Sequence, residues 1–452
     1  MTNSNKIQKI SLEFNAEIKK FLDNSVSNLS NEIYIGKLEN IVNEIQSKRD
    51  KFSILAEKYS TPFYVYDYQN LQVSIKEYLA AFSKYIPNCT HYYAVKLNHY
   101  HELLKDIFQA GFSADVSSAR ELFLAKHAGA TKFLFSGPAK TKKELTQALE
   151  AGVDLVINVD SFSELKKLKE VCKELSINEC RIGVRVTFDK HGSWTKFGIP
   201  LNKLNDFCKE LENQSVIKLI GIQFHMSWNK DGKIFYEVIE ELGNYLKNHL
   251  PAKNLEQIEF IDIGGGFRPY QSEGYYPEDT PIGQIQNNLA EILDIEIKNP
   301  HPYYILESVP IDEYAKDIGE AINKYLRPIK DFQYITEPGR IIVNSALHVL
   351  LSIVDVKSDN CVITDGGTNI IGFERFEFDY FPLINISSPS MEEKEISVFG
   401  SLCMPQDYWG LRIFTDTINE GDLIVVPYQG ALTYANMNDF IKGRVEVYKL
   451  KE

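Results

Sequence analysis

Lys96 sits near the end of the run His91-Tyr92-Tyr93-Ala94-Val95-Lys96-Leu97-Asn98. The run is aromatic and β-branched, the composition of a buried strand. A lysine there is costly to bury unless its amine is used. Desolvation lowers an ammonium's pKa, and a neutral amine is the form that makes a Schiff base with a carbonyl. Four further places set reactive side chains at the ends of β-like runs. They are Asp115, His225 in Gln223-Phe224-His225-Met226-Ser227, the run Asp262-Ile263-Gly264-Gly265-Gly266-Phe267, and Glu337-Pro338-Gly339-Arg340. Three glycines after a strand offer bare N–H groups that can close around an anion. Arg340 can add a charge-assisted contact to the same anion. Each piece also has a plain structural reading: a lysine surfacing, a satisfied core histidine, a tight turn, a surface ion pair. Their convergence on one face favours chemistry. An anion site, a carbonyl-reactive lysine and a carboxylate together describe pyridoxal phosphate (PLP), whose ring nitrogen wants an acidic partner. Glu337 can be that partner, and His225 can lie against the ring.

The elements that must position these groups alternate along the chain. β-runs are expected at 90–96, 112–116, 132–136, 154–158, 181–187, 217–225, 258–263 and 332–337, with segments of helical period between them. Eight such repeats predict an α/β fold, a (β/α)8 TIM-like barrel, with the reactive residues at the C-terminal strand ends where that fold keeps its active site. Alternation by itself does not separate the barrel from a doubly wound open sheet. The long gap from Phe267 to Phe332 reads as an insertion, with helices at Gln284–Ile297 and Tyr314–Tyr325. After Arg340 short β-runs split by Gly, Asp, Asn and Pro predict a C-terminal mostly-β domain. The expected division is an N-terminal helical extension over 1–50, a strand joining the β domain over 51–66, the barrel over 67–343 and the β domain over 344–452. In the extension Leu12, Ile18, Phe21 and Leu22, then Leu38, Ile41, Val42 and Ile45, are spaced for one apolar face, as in a surface or docking helix pair.

Composition narrows the class. The chain has 452 residues, 44% hydrophobic, and a net charge of −13. That charge argues against nucleic acid or an anionic membrane as partner. Six scattered cysteines show no metal-ligand spacing and fit a reducing, cytoplasmic setting better than a disulfide framework. Met1–Ser30 has no apolar core of a signal peptide, and the longest apolar run, Ala346–Val356, is too short to span a bilayer.

In these pieces the chain resembles the fold-type III PLP-dependent decarboxylases, the diaminopimelate and ornithine decarboxylase group. The matching stretches are Thr61–Asp67, Tyr93–Lys96, Ala114–Ser117, Lys196–Ile199, Phe224-His225, Asp262–Phe267, Glu337–Arg340, Gly400–Asp407 and Gly430-Ala431. The resemblance runs from about residue 55 to the C-terminus. It implies that Lys96 holds the cofactor, that Asp115 and His225 contact it, and that Gly264, Gly265, Gly266, Gly339 and Arg340 take the phosphate. It makes Glu337 the partner of the ring nitrogen. It also implies a homodimer whose partner chain brings Cys403, as proton donor, and Asp407 into each site. Asp407, Met404 and Arg375 are the candidate substrate contacts. The departures concern the substrate. The family's acidic residue after the cysteine is Met404 here, and the tyrosine of its Gly-Ala-Tyr motif is Leu432, with Tyr434 as a substitute phosphate contact. Met404 predicts a conjugated substrate, citryl-linked or carrier-protein-linked, as in siderophore or antibiotic pathways. A free amino acid (diaminopimelate, lysine or ornithine) is the alternative, with Glu374, Glu377 or Asp379 as acceptors of its distal amine. A non-catalytic regulator with a decarboxylase fold and a racemase are the readings from other classes. The intact set of cofactor residues argues against the first, and Glu337 against the second.

Overall fold

A computed structural model describes residues 20, 34–188, 196–212, 214–227, 229–269, 273–276, 281–294, 303–305, 308–372 and 380–451. Eight parallel strands close into a barrel: β2 (Cys89–Ala94), β3 (Ser113–Val116), β4 (Lys132–Phe135), β5 (Asp154–Val159), β6 (Cys180–Thr187), β8 (Ile217–Gln223), β9 (Phe260–Asp262) and β12 (Gln333–Thr336). Closure is complete because β5 pairs with β6 and β12 returns to β2, where Thr336 lies opposite His91. The doubly wound alternative is thereby excluded. A short β7 (Ile199–Pro200) extends β6.

Three of the helices between barrel strands start at side-chain caps, which set where those strand-to-helix loops end. Ser118 and Ser161 accept the N–H of Glu121 and Glu164, and Thr141 forms a reciprocal capping box with Glu144. These loops crown the C-terminal end of the barrel. Inside, the two halves differ. Leu134, Val156, Ile220, Phe260 and Ile335 fill the N-terminal half. Gly221 leaves room for Phe260, whose ring a Cβ would meet at 2.0 Å. Nearer the mouth the interior turns polar, with Ser136, Asn158, Gln223 and Asp262 all buried.

The second domain is built on β13 (Leu347–Ser358), which pairs with β14 (Cys361–Thr364) and β20 (Leu423–Val426). Its other strands are β15 (Ile384–Asn385), β16 (Glu393–Lys394), β17 (Ser397–Phe399), β18 (Tyr408–Gly410), β19 (Ile413–Phe414) and β21 (Val447–Lys449). One strand comes from the front of the chain: β1 (Phe63–Tyr66) lies antiparallel to β13 and parallel to β21. Of the apolar run Ile341–Val356, the first part is a helical turn, Arg340–Val343, followed by a 3-10 turn, and β13 starts at Leu347.

Residues 49–58 form a helix, so the strand expected over 51–66 is confined to Phe63–Tyr66. Helices Tyr34–Ser47 and Arg49–Lys58 form one angled pair, and Leu38, Ile41, Val42, Ile45, Phe52 and Leu55 pack on the β domain against Leu350, Ile384 and Val425. The docking surface of this pair is therefore the chain's own second domain. Lys48 Nζ fastens it to Asp67 Oδ2 at 2.7 Å. The four apolar residues named between 12 and 22 lie outside the described residues. In the insertion, β10 (Gly274–Tyr275) pairs with β11 (Tyr304–Ile305), and Gly274 exchanges backbone hydrogen bonds with Tyr380. Helices Pro281–Leu293 and Ile311–Ala321 stand close to the two expected there.

Candidate active site

Two neighbouring cavities open at the barrel mouth. The larger, about 400 Å³, is walled by side chains from six strand ends, among them Lys96, Asp115, Ser136, Arg185, His225 and Glu337. The smaller, about 160 Å³, lies between the glycine run and the Glu337–Arg340 turn and is lined by Gly266, Arg268, Gly339, Arg340 and Leu432. Lys96, His225, Ser227 and Glu337 line both, so they stand where the two spaces meet.

Lys96 is not buried, contrary to the expectation from its strand. β2 ends at Ala94, whose N–H is taken by Pro338 O at 3.0 Å. The chain then makes a 3-10 turn, Val95–Leu97, which turns Val95 and Leu97 inward and leaves Lys96 exposed in the cavities. The amine is thus offered to a ligand rather than sealed in the core.

Glu337 is buried beneath it. Gln223 Nε2 donates to its two oxygens at 3.2 and 3.5 Å, and Ser136 Oγ stands 3.5 Å from Oε1. Burial works against its ionisation, but the Lys96 charge favours the carboxylate, and its pKa is held below the usual range; His225 Nδ1 stands 3.5 Å from Oε2. His225 Nδ1 accepts the Gly265 N–H at 3.0 Å, so the proton of the neutral imidazole sits on Nε2. Burial lowers the imidazole's pKa, which keeps that neutral form. Asp115 is also buried and faces the larger cavity, and burial and the Glu337 charge push its carboxyl up.

The glycine run behaves differently from the expectation of three free N–H groups. Gly264 N–H is taken by Asp262 Oδ1 at 2.9 Å and Gly265 N–H by His225. Gly266 N–H meets no acceptor among the described residues, and it borders the smaller cavity. Gly266 has φ +87°, and a Cβ there would lie 1.7 Å from Met226 O. Only glycine lets the loop come this close. Arg340 also reaches this space, with Nη1 3.3 Å from Glu273 Oε1. An exposed amine, a buried carboxylate under it, a neutral imidazole beside it and a cationic anion pocket fit pyridoxal phosphate. Lys96 would hold its carbonyl carbon, Glu337 its ring nitrogen, and Gly266 with Arg340 its phosphate.

Beyond the glycine run, four expected site residues line neither cavity of this chain. Asp407 is buried within its own domain, its Oδ1 accepting from Thr368 N and Oγ1 at 2.7 and 2.9 Å and its Oδ2 from Leu402 N at 2.6 Å. Those bonds shape the loop carrying Cys403, so Asp407 positions that loop and does not face a substrate. Tyr434 packs edge-on to Tyr64 and Tyr100 and lines neither cavity; Leu432, whose N–H bonds to Leu97 O at 2.7 Å, is the residue that does. Cys403 is exposed and Met404 half-buried, and neither lines either cavity. Arg375, Glu374, Glu377 and Asp379 lie outside the described residues, as does Trp228.

Arg185, Ser136, Asn158 and Gln223 belong to the site and were not foreseen. Arg185 stacks 4.4 Å from the Phe197 ring and stands 3.9 Å from Asp160. The signal for Asn158 was present: a lone amide inside the apolar strand Leu155-Val156-Ile157-Asn158-Val159.

Curated relatives cover most of the chain. It is 28% identical to diaminopimelate decarboxylase of Aquifex aeolicus over 400 residues, 84% of each chain. It is 25% identical to L-glutamyl-[BtrI acyl-carrier protein] decarboxylase of Niallia circulans, over 84% of this chain and 86% of that one. In fold it superposes on diaminopimelate decarboxylase of M. jannaschii with a TM-score of 0.72 at 24% identity, covering 88% of this chain and 89% of that one. Among the described residues no helix is long and apolar enough to cross a membrane. The model of the pyridoxal-dependent decarboxylase pyridoxal-binding domain matches residues 72–344, and the chain belongs to that family.

Proposed function

We propose that this decarboxylase acts on a free diamino acid of the diaminopimelate class. The observation that carries decarboxylation is the buried Glu337, which takes the Gln223 donors and borders both cavities that Lys96 lines. The observation that favours a free diamino acid is the set of relatives: those from Aquifex aeolicus, Methanocaldococcus jannaschii and Haemophilus influenzae, at 27–28% identity, are diaminopimelate decarboxylases. This reverses the preference that Met404 suggests by itself. PLP, when bound, supplies the electron sink for the carbanion left by departing carbon dioxide. Lys96 would hold the cofactor, Glu337 would face its ring nitrogen, His225 would contact it, and Gly266 with Arg340 would take its phosphate.

Met404 supports a second reading. A distal ammonium that leaves water without a carboxylate costs several kcal/mol, and a thioether is a weak acceptor. A conjugated amino acid avoids that cost, and the Niallia relative acts on a carrier-linked glutamyl group. Steady-state kinetics separates the two. A kcat/KM for diaminopimelate, lysine or ornithine of about 10⁴ M⁻¹s⁻¹ or more is the expected result. Carbon dioxide release from citryl- or carrier-linked amino acids alone would transfer the assignment to the conjugate.

The site is further proposed to be shared in a homodimer, with Cys403 of one subunit giving the proton to the substrate carbon in the other. Its support is the exposed Cys403 on a loop braced by Asp407, outside both cavities of its own chain. Mixing inactive Lys96→Ala with inactive Cys403→Ala should recover activity, up to about one quarter of wild type if subunits exchange at random and one site per mixed dimer is intact. Proven exchange without recovery would mean that each chain completes its own site.

A further inference from the structure

The insertion reaches the anion pocket through one buried side chain. Glu273 is 2% exposed and stands just before β10. Its Oε1 accepts from Arg340 Nη1 and from Asn344 Nδ2, each at 3.3 Å. Those donors sit at the two ends of the helical turn Arg340–Val343, so one oxygen ties down both ends of that turn. Oε2 meets no donor among the described residues. A buried carboxylate is costly without a cation beside it, and Arg340 is the cation that Glu273 meets. Glu273 lines neither cavity, whereas Arg340 lines the smaller one. The carboxylate therefore does not face a ligand; it bears on the pocket only through the guanidinium. A guanidinium is a rigid planar fork, so a bond at one nitrogen restricts where its other N–H groups aim.

The backbone beside Glu273 is held from the second domain. Gly274 N–H donates to Tyr380 O at 3.0 Å, and Tyr380 N–H to Gly274 O at 3.1 Å. The Tyr380 ring stacks 3.6 Å from that of Tyr303, the residue before β11. Both hydroxyls donate to Glu393 of β16, at 2.9 Å from Tyr380 and 2.7 Å from Tyr303. Both strands of the insertion are thus clipped to the β domain. We propose that Glu273 is a positioning residue for the cofactor's phosphate: it aims Arg340 into the smaller cavity, and the β domain, through Tyr380, holds it in place to do so. The inference rests on the reading of Arg340 as a phosphate contact and is independent of the substrate assignment.

The test is the affinity of the full chain, stripped of cofactor, for PLP and for pyridoxal. The two ligands share the ring and the carbonyl, so the ratio of their affinities reports the phosphate alone. Glu273→Leu should weaken PLP by about 10–100-fold, the loss expected for a hydrogen bond to a charged group, and leave pyridoxal unchanged. Glu273→Gln keeps an acceptor for Arg340 and should fall between wild type and Glu273→Leu. Arg340→Met measures the phosphate contact itself. The double variant Glu273→Leu/Arg340→Met should bind PLP no more weakly than Arg340→Met, because the two residues act in series. An equal loss of PLP and pyridoxal in Glu273→Leu, or losses that add in the double variant, would mean that Glu273 supports only the fold, and overturns the proposal. If Arg340→Met binds PLP like wild type, the phosphate reading itself fails, and the proposal with it. Should Glu273→Leu fail to fold, Glu273→Gln decides: a ratio of PLP to pyridoxal affinity unchanged from wild type overturns the proposal.

Discussion

Lys96→Ala should abolish turnover, by more than about 10⁴-fold, and remove the cofactor's protein-bound visible absorbance. The fold should survive. Lys96 is exposed, so truncating it sits with surface substitutions, which change stability by about 0.5 kcal/mol or less. Val95 and Leu97, which hold the turn in the core, are untouched. Loss of activity with an unchanged melting temperature would therefore isolate the amine. A Lys96→Ala protein that still binds cofactor with the wild-type spectrum and turns over would move the attachment elsewhere.

Glu337→Gln carries the second largest effect, and it differs in kind. Cofactor should stay bound, because Lys96, Gly266 and Arg340 remain. Turnover should fall by roughly 10²–10⁴, equivalent to about 3–5 kcal/mol of barrier. A neutral amide cannot favour a protonated ring nitrogen, and its NH₂ also meets the Gln223 donor that now serves a carboxylate. The variant should load with cofactor like wild type and fail in kcat rather than in cofactor affinity. Near-normal decarboxylation by Glu337→Gln would show that the ring nitrogen has another partner.

Lys96, Asp115, His225, the glycine run and Glu337 were legible because the eight strand ends are legible. Period and glycine punctuation locate those ends, and the barrel's topology brings them to one mouth. Burial at those ends was less legible. Lys96 was read as buried because strand composition does not show a 3-10 turn that begins at Val95. Asp407 was read as a substrate contact because its place after Cys403 says nothing of which backbone N–H groups it meets. Tyr434 failed for the same reason: at φ +67° Leu432 turns the chain so that Leu432 faces the cavity and Tyr434 faces Tyr64. The polar layer of Ser136, Asn158 and Gln223 comes from three separate strands, so its members become neighbours only when the barrel closes.

The placement of β1 has a consequence for how the molecule is made. Phe63–Tyr66 leaves the ribosome before any barrel strand, yet its partners β13 and β21 follow the whole barrel. The second domain therefore cannot finish until β21 has been made, while the barrel can fold in the interval. Contacts so distant in sequence form slowly, and a nascent chain waiting with an unpaired edge is open to pairing with a neighbour. A chain cut short before β13 keeps the barrel's residues but leaves β1, and the helix pair fastened beside it, without the sheet they need.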